Sequence, residues 1–95
     1  MPKSSSYIIS YDIEDDHERL RVSKVLEGFG QRVQKSVFEC PLSRGKKHEL
    51  EKRLEKLELD TGFVLIYRID EKAKRTAIGQ VPGNIAASDA HAFII

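Results

Sequence analysis

Five hydrophobic blocks punctuate the chain, and their spacing alternates between the two-residue repeat of a strand and the longer repeat of a helix. Tyr7-Ile8-Ile9-Ser10-Tyr11 is nearly continuous in β-branched and aromatic residues, which predicts a central strand covered on at least one face. Val22, Val25, Leu26 and Phe29 then recur at i, i+3, i+4 and i+7, a single buried stripe on a helix that Asp15 or Asp16 caps and Gly30 stops. From Arg32 to Cys40 the pattern alternates again. Gln34, Ser36, Phe38 and Cys40 fall on one face and Val33, Lys35, Val37 and Glu39 on the other, and Pro41 is expected to end the strand. Ser43 as cap with Leu50, Leu54 and Leu57 predicts a second helix, and Gly62 opens the apolar strand Phe63-Val64-Leu65-Ile66-Tyr67-Arg68-Ile69.

This order of strands and helices fits an α+β domain, one antiparallel sheet with two helices on a single face. It is the ferredoxin-like βαββαβ plan. The plan needs two strands between the helices, and Arg32 to Cys40 holds no Gly, Pro or Asn to divide it. A bulge or sharp bend near Gln34 to Ser36 must therefore split the block. After Asp70 the composition turns to Pro, Gly, Asn, Ser and Ala, with Arg75-Thr76-Ala77-Ile78-Gly79 readable as an extra C-terminal strand. The expected division is a ferredoxin-like domain over residues 1–80 and a tail over 81–95, ending in Phe93-Ile94-Ile95, which a tail left in water has no reason to keep.

Length and charge narrow the picture. A chain of 95 residues buries only a modest fraction of its surface, so a dimer that covers more apolar area is a natural supplement. The formal net charge of +1 gives no bulk argument for nucleic-acid binding, and only the local gathering of Arg19 and Arg21, of Arg32 and Lys35, of Arg44, Lys46 and Lys47, and of Lys72, Lys74 and Arg75 supports one. The lone Cys40 suits a reducing compartment. With neither a leader pattern nor a run long enough to span a bilayer, a cytoplasmic protein without membrane contact is expected.

Candidate chemistry begins at Ser10-Tyr11-Asp12, where an acidic residue is delivered at the end of an apolar strand. Asp12 reads either as a strand-end residue that turns or caps the chain or as a metal ligand. One carboxylate is few for a hard cation, yet Mg²⁺ is held by one or two carboxylates plus water and phosphates, and a two-fold axis doubles the count. Glu14, Asp15 and Asp16 are accounted for by capping and the helix dipole, with membership of a metal cluster the lesser reading. Arg19 and Arg21 read either as phosphate-neutralising groups or as solvated helix charge. His17, His48 and His91 lack metal-ligand spacing, and Cys40 reads as buried and inert.

The stretch Arg32-Val33-Gln34-Lys35-Ser36-Val37-Phe38-Glu39-Cys40, preceded by Gly30 and taken with Ser10-Tyr11-Asp12 and the chain length, resembles the small CRISPR-associated adaptation protein, the "Cas-two" family. The resemblance implies a metal-dependent endonuclease acting on RNA or double-stranded DNA, and a dimeric subunit of the spacer-integration complex partnered by an integrase. It implies that Asp12 binds Mg²⁺, or Mn²⁺, together with its symmetry mate and is the catalytic residue. By the same resemblance Arg32 and Phe38 contribute to the nuclease or nucleic-acid site, although Phe38 alone reads as core; Arg19 and Arg21, early on the helix after Asp12, Lys35 in the same stretch, and Tyr11, which reads either as a substrate contact or as packing, complete the candidate nucleic-acid site. It also implies that the segment after Asp70 crosses to the partner, pairing around Thr76 to Gly79. Competing readings are a non-catalytic DNA scaffold of the same family, a toxin-type ribonuclease of the same fold, and a small-molecule regulatory domain.

Overall fold

A computed structural model describes residues 4–70 and 72–83. The elements run β1 (Ser5–Ile13), α1 (Asp16–Glu27), β2 (Gln31–Gln34), β3 (Val37–Leu42), α2 (Arg44–Glu55) and β4 (Gly62–Ile69). The four strands form an antiparallel sheet in the order β2-β3-β1-β4, so the most apolar strand lies in its interior. This is the ferredoxin-like arrangement.

Alternation along β1 sends Tyr7, Ile9, Tyr11 and Ile13 to one face, where they meet Phe38, Cys40 and Leu42 of β3, Val22 and Leu26 of α1, and Leu50 and Leu54 of α2. Val25, Phe29 and Leu57 of the two predicted stripes pack against this core as partly buried residues. The caps fall where the side-chain chemistry places them: the Glu18 amide donates to the Asp15 carboxylate at 2.9 Å, and the Lys46 amide to the Ser43 hydroxyl at 3.2 Å.

The block between the helices is split as the plan demands. The chain turns at Lys35 and Ser36, and the β2–β3 register shifts between Arg32 and Gln34. Gly30 lets β2 start close to β3, because a Cβ there would collide with the Glu39 carbonyl oxygen and the Cys40 sulfur. Pro41 does not end β3, contrary to expectation. It pairs with Ser6 inside the strand, which is tolerated because β2 reaches only as far as Glu39 and leaves β3 with one neighbour at Pro41.

Among the described residues no helix covers the second face of the sheet. Directly opposed residues share a face, so the pairs Asp12–Phe63, Ser10–Leu65 and Ile8–Tyr67 all point there. Residues 73–82 run beside part of this face and enclose a groove of about 710 Å³ with Ile8, Val37 and Ile69, latched by the Arg75–Glu39 ion pair at 3.3 Å. The extra strand expected at Arg75–Gly79 is not formed within the chain, since no described strand lies beside it. The terminal Phe93-Ile94-Ile95 lies outside the described residues.

Candidate functional site

β1 runs three residues beyond the end of its ladder with β3. Pairing with β3 ends at Ser10–Val37, followed by one bond from the Tyr11 amide to the Ser36 carbonyl at 3.0 Å, whereas pairing with β4 continues through Asp12–Phe63 to Ile13–Gly62. Asp12 is thus held by a strand on one side only. The close approach there depends on Gly62, because a Cβ at that position would strike the Asp12 carbonyl oxygen and Ile13 Cα. The Asp12 side chain is exposed, and no hydrogen bond or ion pair to it is made among the described residues.

Asp12 lines an open cleft of about 720 Å³ together with Tyr11, Asp16, Arg19, Arg32 and Lys35. Two of the basic groups are already engaged. Arg19 Nη1 donates to the Ile13 carbonyl at 2.7 Å and the Glu14 carbonyl at 3.2 Å, while Nη2 pairs with Asp16. Arg19 therefore clips the loop that follows Asp12. Arg32 donates to the Lys35 carbonyl at 2.6 Å, meets the Tyr11 hydroxyl at 3.4 Å, lies 3.8 Å from Glu27, and sits 4.9 Å above the Phe38 ring. Lys35 is exposed at the tip of the β2–β3 turn.

Most residues singled out in the sequence converge here, in two different capacities. Tyr11 and Phe38 are 5% and 0% exposed. Phe38 is core and a platform for Arg32, against the expectation that it contacts nucleic acid, and Tyr11, which lines the cleft, fastens the β2–β3 turn through its hydroxyl, 3.3 Å from the Lys35 carbonyl. Arg21 is exposed but does not line the cleft. Two positions beyond Arg19, it lies on another side of α1 and acts electrostatically on Glu18. Asp15 and Asp16 are used as cap and ion-pair partner, and no group of three His, Cys, Asp or Glu suited to a metal occurs among the described residues. Cys40 is 1% exposed, and burial pushes its thiol up to about 11, as an inert core cysteine requires.

The sequence reading missed Glu18 and Thr61. Glu18 is a buried carboxylate, accepting from the Asp60 amide at 2.8 Å, the Thr61 amide at 3.0 Å and the Thr61 hydroxyl at 2.6 Å. The Thr61 hydroxyl bond is the largest influence holding this carboxyl below its ordinary value, followed by the Asp60 amide. A signal was available, since Asp15-Asp16-His17-Glu18 has the Asp-x-x-Glu spacing of a capping box. Here the box opens to include a third residue, because the Asp15 amide donates to Thr61 Oγ1 at 3.0 Å instead of to Glu18.

Chemically, an exposed carboxylate not claimed by any described donor suits a hard divalent cation that keeps water ligands, so Asp12 fits such an ion. A single chain offers only that one ligand.

A four-stranded ferredoxin-like sheet, helices on one face and a lone carboxylate at the end of β1 define a small α+β protein with an open acidic strand end. The family described as CRISPR associated protein Cas2 matches residues 5–77, and the chain belongs to it. A CRISPR-associated endoribonuclease Cas2 of Synechocystis is 59% identical over 51 residues, which cover 54% of this chain and 55% of that protein. The chain thus matches about half the length of that relative. A Chloroflexus aurantiacus protein of the same description is 47% identical over 75% of this chain and 78% of its own length. Among solved structures, a hypothetical protein from Thermus thermophilus superposes with a TM-score of 0.73 at 33% identity, covering 83% of this chain and 95% of that one. A chain in a partial Cas6-RT-Cas1–Cas2 complex has a TM-score of 0.62 at 28% identity, over 70% of this chain and 80% of the other. Among the described residues no helix is long and apolar enough to cross a membrane.

Proposed function

We propose that this protein is a divalent-metal-dependent endonuclease of CRISPR adaptation, a cytoplasmic homodimer that hydrolyses phosphodiester bonds in RNA or duplex DNA and docks with an integrase subunit. The observation that carries this reading is the placement of Asp12: an exposed carboxylate without a described partner, at the mouth of a cleft that also holds Arg19, Arg32 and Lys35. The endoribonuclease relatives support nucleic acid as substrate, and the similar chain from a complex containing Cas1 supports the integrase partner.

Asp12 shares its face with Phe63, Leu65 and Tyr67, which are 53%, 43% and 53% exposed. A second copy covering these side chains brings a second Asp12 toward the first, and each apolar side chain fully buried contributes on the order of 1.5–3 kcal/mol. The two carboxylates would hold one Mg²⁺ or Mn²⁺, which polarises the scissile phosphate and lowers the pKa of a bound water. Lys35 supplies an exposed cation for the phosphate backbone, and Arg32, stacked on Phe38, presents a fixed guanidinium edge beside it. Arg19 acts through the loop it clips.

Asp12→Asn tests the reading, since it preserves shape and removes the charge that binds the ion. Cleavage of RNA and of duplex DNA in Mg²⁺ or Mn²⁺ is expected to fall at least about 100-fold with an unchanged circular dichroism spectrum. A variant as active as the wild type removes Asp12 from the mechanism. A second reading, a non-catalytic scaffold that lays duplex DNA across basic groups, is favoured by one feature: no described His or Glu side chain lines the cleft as a general base. Wild-type protein that binds DNA but cleaves nothing in any metal would decide for it.

A further inference from the structure

Asp12 lies beyond the β3 ladder and is gripped by β4 alone, so its position depends on what fixes the loop that follows it. Two sets of bonds do this. Arg19 takes the Ile13 and Glu14 carbonyls, and Thr61, the residue before β4, takes the next two amides: Glu14 N–H donates to the Thr61 carbonyl at 3.2 Å and Asp15 N–H to the Thr61 hydroxyl at 3.0 Å. The Thr61 hydroxyl is in turn oriented by its own short bond, 2.6 Å, to the buried Glu18 carboxylate. Glu18 also holds the Asp60 and Thr61 amides, so the α2–β4 connection and the start of α1 form one closed hydrogen-bonded unit. Gly62 then brings that unit's strand against the Asp12 backbone.

We propose that Thr61 and Glu18 are positioning residues for the Asp12 metal site: the Glu18-oriented Thr61 hydroxyl pins the loop after Asp12 and so sets where its carboxylate stands. This rests on the assignment of Asp12 as the metal ligand. Neither residue touches the ion. Their role is that of the outer groups that orient a ligand, whose loss commonly costs roughly 10- to 100-fold in metal affinity or activity.

The test uses the intact chain with Mn²⁺ alone as probe, in wild type, Asp12→Asn, Thr61→Val, Thr61→Ser and Glu18→Gln. Thr61→Val keeps the shape but removes the hydroxyl; Thr61→Ser returns it. Thr61→Val is expected to speed hydrogen exchange at the Asp15 amide, weaken Mn²⁺ binding about 10-fold by calorimetry, and lower kcat with KM for RNA unchanged. Thr61→Ser should restore all three. Should Thr61→Val fail to fold, Glu18→Gln carries the same expectations for exchange and for Mn²⁺. Faster Asp15 exchange with wild-type Mn²⁺ affinity and kcat overturns the positioning role while leaving Asp12 in place. Mn²⁺ binding that is absent in the wild type, or unchanged in Asp12→Asn, overturns the Asp12 assignment and this inference with it.

Discussion

Glu18 shows how one side chain decides more than its type suggests. A Glu at the third position of a helix ordinarily stays in water beside its cap, but this one is buried with three hydrogen bonds, and its folded-state pKa is depressed chiefly by the Thr61 hydroxyl. A depressed carboxyl contributes stability above its unfolded pKa, near 4.5, and loses that contribution as pH falls through the lower folded value. Glu18→Gln should therefore melt several degrees below the wild type at neutral pH, with the gap closing as the pH falls through the depressed folded value. Thermal melts across that range check this, and a gap that does not change with pH would mean that the charge of Glu18 does not matter to folding. At the same scale, Asp12 was legible because a strand-end acid before a capped helix is a pattern in one dimension. Thr61 was not, because its partners lie 46 and 43 residues away in the chain.

At the scale of elements, the strands and helices followed from periodicity, and the divided β2–β3 block followed from the needs of the plan. What holds β2 in place is steric. Gly30→Ala adds a methyl group where the Glu39 carbonyl and Cys40 sulfur already stand, and is expected to destabilise by about 1–3 kcal/mol while lifting Arg32 away from Phe38. Gly45→Ala is the matched control. Nothing stands within 4 Å of a Cβ at Gly45 in the first turn of α2, so that change should stabilise by about 0.4–1 kcal/mol. Urea unfolding of the two variants checks both signs, and equal midpoints would show that the Gly30 contact yields without cost. Pro41 illustrates the limit of local rules, since its strand-ending tendency was overridden where β3 had no second neighbour to pair with.

For the whole molecule, the exposed Phe63, Leu65 and Tyr67 form a face on which the fold is unfinished. A second copy is expected to cover it. Wild-type protein should sediment as a dimer at low micromolar concentration, and Leu65→Asp as a folded monomer with cleavage lost, because each Asp12 then lacks its mate. Leu65→Asp that remains a tight dimer would move the interface elsewhere. Removing residues 81–95 should weaken the same dimer if the tail docks across it, and a truncated chain that still dimerises tightly would show that the tail is not what holds the subunits together.

Taken alone, the order of residues determined the period of each element, a cap at Asp15 or Asp16 and one at Ser43, the class of fold and the candidate carboxylate, because these depend on neighbours within one or two turns. Only the tertiary structure decided which candidates face solvent. Phe38 and Tyr11 went into the core, Arg21 turned away from the cleft, Arg19 became a clip for the loop, and Thr61 met Asp15 and Glu18. The physical reason is that a hydrogen bond or a buried face is a property of two segments brought together by the sheet, and the spacing along either segment alone does not contain it.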